Sequence, residues 1–174
     1  MANPIIRGFR SLTRFSGRDR RSQFWPYAGV AVALTFVITG AANIWSMSGF
    51  WAETVQVSDG AEYGLMPDLT AFFAVMAASV VAYVGLLAAA VSRRLHDLGK
   101  SARWGLMPVP FLIFGIGGMA LLMNGLTATS EPNLALFLLL FLNNAAYMVG
   151  LISLIVLLCL RGTAGPNRFG PEPA

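Results

Sequence analysis

Apolar and polar positions fall in long blocks along this chain. Four runs contain no Lys, Arg, Asp or Glu: 26–48, 69–91, 105–124 and 134–160. Each reaches the roughly 20 residues that a helix needs to cross the hydrocarbon of a bilayer. Lipid offers the backbone no hydrogen bonds, so such runs satisfy themselves as helices. The pattern therefore predicts an all-α integral membrane protein with four transmembrane helices in a single domain, 1–174. A fifth, shorter element precedes them. Over 4–15, Ile5, Ile6, Phe9, Leu12 and Phe15 fall on one side of a helical wheel and Arg7, Arg10 and Arg14 on the other. That segregation predicts an amphipathic helix in the membrane interface, with Asn3 as its cap, Pro4 at its first position and Gly17 at its end.

Details within the runs refine the expectation. The second carries a stripe of small residues, Ala74, Ala78, Ala82, Gly85 and Ala89, of the kind that lets membrane helices approach one another. The third holds Pro108 and Pro110, so it is expected to kink or to begin near Pro108. Trp25, Tyr27 and Trp104 stand at one boundary, and Trp45, Phe50, Trp51 and Tyr63 near the other, as interfacial aromatics do. Ser58, Asp59 and Gly60 predict a turn between the first two spans. Gly40, Ala41 and Ala42 look like a signal cleavage site, but the apolar run continues past them and cleavage would leave three spans; the first span is expected to stay.

Charge orients the bundle. All 12 Lys and Arg lie before the first span, in the segment 92–104, or in the tail 161–174, together with Asp19, Asp97 and Glu172. The other two connections hold five acids and no base. The positive-inside rule then puts both termini and 92–104 in the cytoplasm. Composition agrees: 56% of residues are hydrophobic and 11% charged, against about 25% charged in soluble domains. With one cysteine, Cys159, and one histidine, His96, no internal disulfide, structural metal site or bis-histidine haem is expected, and no cofactor.

Three polar segments are richer than connections need to be. They are Gly17-Arg18-Asp19-Arg20-Arg21-Ser22-Gln23-Phe24-Trp25, then Arg93-Arg94-Leu95-His96-Asp97-Leu98-Gly99-Lys100-Ser101-Ala102-Arg103-Trp104, then Gly165-Pro166-Asn167-Arg168-Phe169-Gly170-Pro171-Glu172-Pro173. Taken in this order at these membrane boundaries, they resemble the signature of the YhaH-like bacterial inner-membrane proteins, Domain of Unknown Function 805, over about residues 9–173. Gln23, where an acid is expected, and Arg103, where a tryptophan often stands, depart from it. The resemblance implies a small polytopic inner-membrane protein and no established activity.

Lying on one side of the membrane, the three segments are expected to meet in one cytoplasmic cap. Its candidate anion-binding residues are Arg18, Arg21, Arg93, Arg94, His96, Asp97, Lys100, Ser101, Asn167 and Arg168. Each acid there should pair with an arginine, Asp97 with Arg18 or Arg168, because an isolated half-buried carboxylate is costly. Gly99 should end the second helix and Ser101 cap the third. The cap reads as a lipid-headgroup anchor, as a defined anion pocket, or as a docking surface for a membrane protein partner or a second copy. His96, Asp97 and Cys159 are the residues an enzyme acting on lipid headgroups would use. Within the bilayer, Asn143, Asn144 and Tyr147 are the most polar group, either bonding helices together or lining a transport path. A structural or accessory protein bound to anionic lipid or to a larger complex comes first; a small transporter or channel and a headgroup enzyme remain alternatives. The bases hug membrane boundaries, so no nucleic-acid partner is expected.

Overall fold

A computed structural model describes residues 3–56, 70–129 and 133–173. The turn expected at Ser58, Asp59 and Gly60, and the acids Asp59, Glu62, Asp68 and Glu131, lie outside the described residues. Five α-helices follow in order: α1 (Pro4–Arg10), α2 (Arg21–Gln56), α3 (Thr70–Asp97), α4 (Val109–Thr129) and α5 (Leu134–Cys159), with a 3₁₀ helix (Ala102–Leu106) before α4. Four segments are long and apolar enough to cross a membrane: Arg21–Ser46, Ala71–Asp97, Ala102–Met123 and Leu134–Cys159.

The amphipathic helix expected over 4–15 is only seven residues long. Asn3 does cap it, its Oδ1 accepting from the Ile5 N–H at 2.9 Å, and Pro4 sits in the first turn. The helix stops at Arg10 because the Ser11 hydroxyl turns back onto the Arg7 carbonyl at 2.7 Å, a local bond that competes with helix propagation. Gly17, with φ +94°, therefore turns the chain well beyond the helix end instead of terminating it. The apolar side also divides. Phe9 and Leu12 pack on the core, Phe9 edge-on to Tyr27 with ring centroids 5.2 Å apart, while Ile6 and Phe15 face outward.

The second run reaches further than its apolar stretch. The segment 92–97, expected as connection, is the last turn and a half of α3, so Arg93, Arg94, His96 and Asp97 project from a rigid helix. Gly99 ends it as expected. Its φ is +69°, its N–H donates to the His96 carbonyl and the Lys100 N–H to the Leu95 carbonyl, the paired bonds of a Schellman motif. Ser101 stands at the start of the 3₁₀ helix without a side-chain capping bond, so the capping expected of its hydroxyl is not made. The third run begins after Pro108 rather than kinking, with Pro110 in the first turn of α4. Asn133 caps α5, its Oδ1 accepting from the Leu136 N–H at 2.9 Å.

The helices pair as two hairpins, α2 with α3 and α4 with α5. The core lies at the polar end, where Phe24, Tyr27, Ala28 and Ala31 of α2 meet Leu87, Ala90 and Leu95 of α3 and Leu154 and Leu158 of α5. Tyr27 locks the first hairpin, its hydroxyl donating to the Leu86 carbonyl at 2.6 Å. The small-residue stripe of α3 does not make this contact. Ala74, Ala78, Ala82 and Gly85 are exposed, and only Ala89 is buried. Close approach comes from Ala28 and Ala31 of α2 instead.

Gly8 is the buried residue of α1, and a Cβ there would collide with the Tyr27 ring. Gly8→Ala should therefore lower the unfolding temperature and expose 11–20 to protease. The further substitution Tyr27→Ala should remove most of the added effect, a non-additivity that a double-mutant cycle reads directly.

Candidate functional site

The polar end is built around two carboxylates. Asp97 closes α3, where an acid faces the negative end of the helix dipole. Two arginines offset that. The Arg18 guanidinium bonds Asp97 Oδ1 from Nε at 3.1 Å and Nη2 at 3.0 Å, and Arg94 pairs with Oδ2 from one turn back. All three side chains are buried. Of the two partners expected for Asp97, Arg18 takes the place. Arg168 instead donates to the Gly99 carbonyl at 3.1 Å.

The second carboxylate, Asp19, is held by Arg93 Nε at 2.6 Å and Arg7 Nη2 at 2.7 Å. Glu172 completes the set, with Arg20 at 3.4 Å and the Gly165 N–H at 2.8 Å. Each acid at this end thus has an arginine.

Further guanidinium hydrogens go to main-chain carbonyls. Arg94 donates to Leu158 at 3.0 Å and to Leu160, and Arg21 donates to Cys159 at 3.3 Å. These are the carbonyls that the last turn of α5 leaves without helical partners, and cations belong at that end of the dipole. Arg93 donates to Ser11 and Arg14, fixing the turn after α1. Arg18 donates to Gly165 at 2.7 Å and Thr163 at 2.6 Å, fixing the tail.

The tail docks as a series of turns. The Thr163 N–H donates to the Asp97 carbonyl at 2.8 Å, and Asn167 bonds the His96 carbonyl at 2.9 Å. Phe169 stacks on the His96 ring, centroids 4.0 Å apart and planes 8° from parallel. His96 Nδ1 lies 3.2 Å from the Gly17 carbonyl, an acceptor, so the ring carries its proton there. Gly162 allows the close passage, because a Cβ would run into the Asp97 carboxylate.

The structure thus joins Arg18, Arg93, Arg94, His96, Asp97, Asn167 and Arg168 in one network. Arg21 lies at its edge. Lys100 sits 4.9 Å from the Trp104 ring centre, and the Ser101 hydroxyl takes no part in capping. Cys159 is exposed, and no hydrogen bond links its thiol to His96. His96 faces Gly17 and Phe169 while Asp97 faces the arginines, so the two do not act as an acid–base couple. Three participants escaped sequence reasoning. Thr163 and Gly162 lie in a short polar linker whose residue types carry no signal by themselves. Arg7 was assigned to the solvent face of a longer helix.

Within the second hairpin, Asn143 donates its amide to the Phe111 carbonyl at 2.9 Å, bonding α5 to the first turn of α4. Asn143, Asn144 and Tyr147 line one cavity of about 610 Å³ whose other walls are Phe, Leu, Ile, Met and Gly.

The family described as protein of unknown function DUF805 matches residues 12–171. The chain belongs to that family. The matched region takes in the whole Asp97 network and all four apolar helices. The inner membrane protein YhaH of Escherichia coli strain K12 is 26% identical to it over 170 residues, covering 97% of this chain and 93% of the relative. The protein of that name from Escherichia coli O157:H7 matches to the same extent. No solved structure matches. This DUF805 chain is a membrane protein of an uncharacterised family.

Breaking a buried ion pair by removing one partner costs about 3–5 kcal/mol. Asp97→Ala strands two buried guanidiniums, so its unfolding in detergent should show a loss of that order. Arg18→Lys should lose stability too, because a single ammonium cannot serve Asp97, Thr163 and Gly165 together.

Proposed function

We propose that this protein sits in the inner membrane with its polar end in the cytoplasm and serves as a structural or accessory component that gathers anionic lipid around that end. One observation carries the reading: ten of the twelve basic residues divide into two sets. Arg18, Arg93 and Arg94 are buried and engaged by internal acceptors. Arg10, Arg14, Arg20, Arg21, Arg103, Arg161 and Arg168 form an exposed set at the same end. The first set builds the cap. The second is a collar at headgroup depth, where each base adds about 1 kcal/mol of attraction to an anionic leaflet. The outward-facing Ile6 and Phe15 beside Arg10 and Arg14 support an interfacial seat for the N-terminal segment. A larger membrane complex would bind through the same collar.

A transporter or channel is the second reading, favoured by the gathering of Asn143, Asn144 and Tyr147 at one cavity. The commitment of Asn143 to a backbone carbonyl weighs against it. Solute flux in proteoliposomes that falls in Asn143→Leu would establish the pore; flux indifferent to that change would remove it.

The primary reading is tested on vesicles of mixed anionic and zwitterionic phospholipid. Enrichment of the anionic lipid around the protein should decline as salt rises, since exposed charges are screened over about 8 Å at physiological ionic strength. It should also decline in an Arg10→Gln, Arg14→Gln, Arg161→Gln variant. Arg161→Cys in a Cys159→Ser background should react with an impermeant maleimide in inverted vesicles and not in intact cells; the reverse would overturn the orientation.

A further inference from the structure

We propose that the cleft between the two hairpins binds one anionic phospholipid, with an acyl chain between the helices and the phosphate at Arg103. This rests on the reading of the polar end as a lipid-gathering surface, and it adds a defined site to a diffuse collar.

The cleft is a cavity of about 480 Å³ with walls from both hairpins. Val32 of α2, Val84 and Ala88 of α3 and Leu151 of α5 are typical of its lining. At the polar end it is lined by Trp25 and Arg103, both exposed, and toward the bilayer centre by Tyr83 and Tyr147. Along α5 the lining runs from Tyr147 to Leu158, about 16 Å at 1.5 Å per residue. Half of a hydrocarbon core of about 30 Å is about 15 Å. The cleft is therefore as deep as one leaflet, and Tyr147 marks the midplane. An apolar cavity in a bilayer forfeits dispersion contacts unless a chain fills it.

Charge selects the lipid. Arg103 lies on the 3₁₀ helix at the mouth, exposed, and forms no ion pair with a described carboxylate. The element carrying it is fixed against α3, since a Cβ on Gly105 would stand 2.9 Å from Val91. A guanidinium carried on a fixed backbone, with free donors, suits bidentate contact with phosphate. The other cavity between the hairpins, on the far side of Tyr147, has no Lys or Arg in its lining. Of these two cavities, the cleft under the cap combines a leaflet-deep slot with an exposed cation at its polar end.

The full-length protein, delipidated in mild detergent, is titrated with dioleoyl-phosphatidylglycerol or dioleoyl-phosphatidylcholine and read by native mass spectrometry. One phosphatidylglycerol per chain should survive activation that strips phosphatidylcholine. Arg103→Gln, at an exposed position, should weaken that binding about tenfold. Ala88→Phe and Leu151→Trp fill the slot from opposite walls, and each should abolish the retained lipid; where one fails to fold, the other decides. The collar variant Arg10→Gln, Arg14→Gln, Arg161→Gln should keep it. Retention that ignores Arg103→Gln and both filling variants overturns the site, as does retention lost in the collar variant alone. Loss of the salt-sensitive lipid preference in vesicles, with the single lipid still retained, would instead overturn the collar.

Discussion

The arrangement of this protein depends on the Asp97 carboxylate. It lies buried at the negative end of α3 and receives a guanidinium from before the first span and another from its own helix. Taking such charges out of water is expensive, and their mutual attraction alone does not always repay it. What changes the balance here is the use made of every other donor. Arg18 and Arg94 reach from Asp97 to the tail and to the end of α5, so one ionic node closes four chain segments beside the apolar core of α2, α3 and α5. An apolar replacement of similar volume could fill the space. It could not bond the carbonyls of Leu158 and Leu160, or those of Thr163 and Gly165, and that of the buried Leu158 would lose its guanidinium partner.

Arg93 repeats the device one residue earlier. It points to the other side of the helix, holds Asp19, and ties down the turn after α1. Adjacent helical residues diverge by about 100°, and that divergence lets the pair Arg93 and Arg94 serve two different walls of the cap. The stacking of Phe169 on His96 packs the tail against the same last turn of α3.

The spans were legible because absence of charge over twenty residues has one physical solution in lipid. The pairing of acids with arginines was legible for a similar reason: few acids stood among many bases at one boundary. The extent of α3 was not, because its last turn and a half is polar, and an apolar-run criterion ends at Val91 while the hydrogen-bond ladder continues to the Schellman turn at Gly99. The length of α1 was misjudged because periodicity continued through Leu12 and Phe15 after a serine had already diverted the backbone. The stripe from Ala74 to Gly85 reads equally well as an inner or an outer face; spacing fixes that the residues share a side, and only the partner helix decides which side. The contribution of Thr163 depends on a backbone meeting between distant segments, which no local pattern encodes.

The same distribution of contacts explains why the bundle is open. Only 6% of the apolar stretch of α5 is buried within the chain, and 17% of that of α2, so most of their surface must be solvated by something other than this protein. Lipid tails are as apolar as leucine, and no hydrophobic force drives the two hairpins together along their length. They are joined where polar atoms have no alternative partner, at the boundary where arginine, carboxylate and helix-end carbonyl coincide. Below that joint the hairpins separate, and the gap between them has the bilayer's own character. A clamp of buried charge at one end and a lipid-like cleft beneath it are therefore two consequences of a single constraint. In hydrocarbon a polar group without a partner holds helices together strongly, and among the described residues this chain concentrates its buried ion pairs at one end.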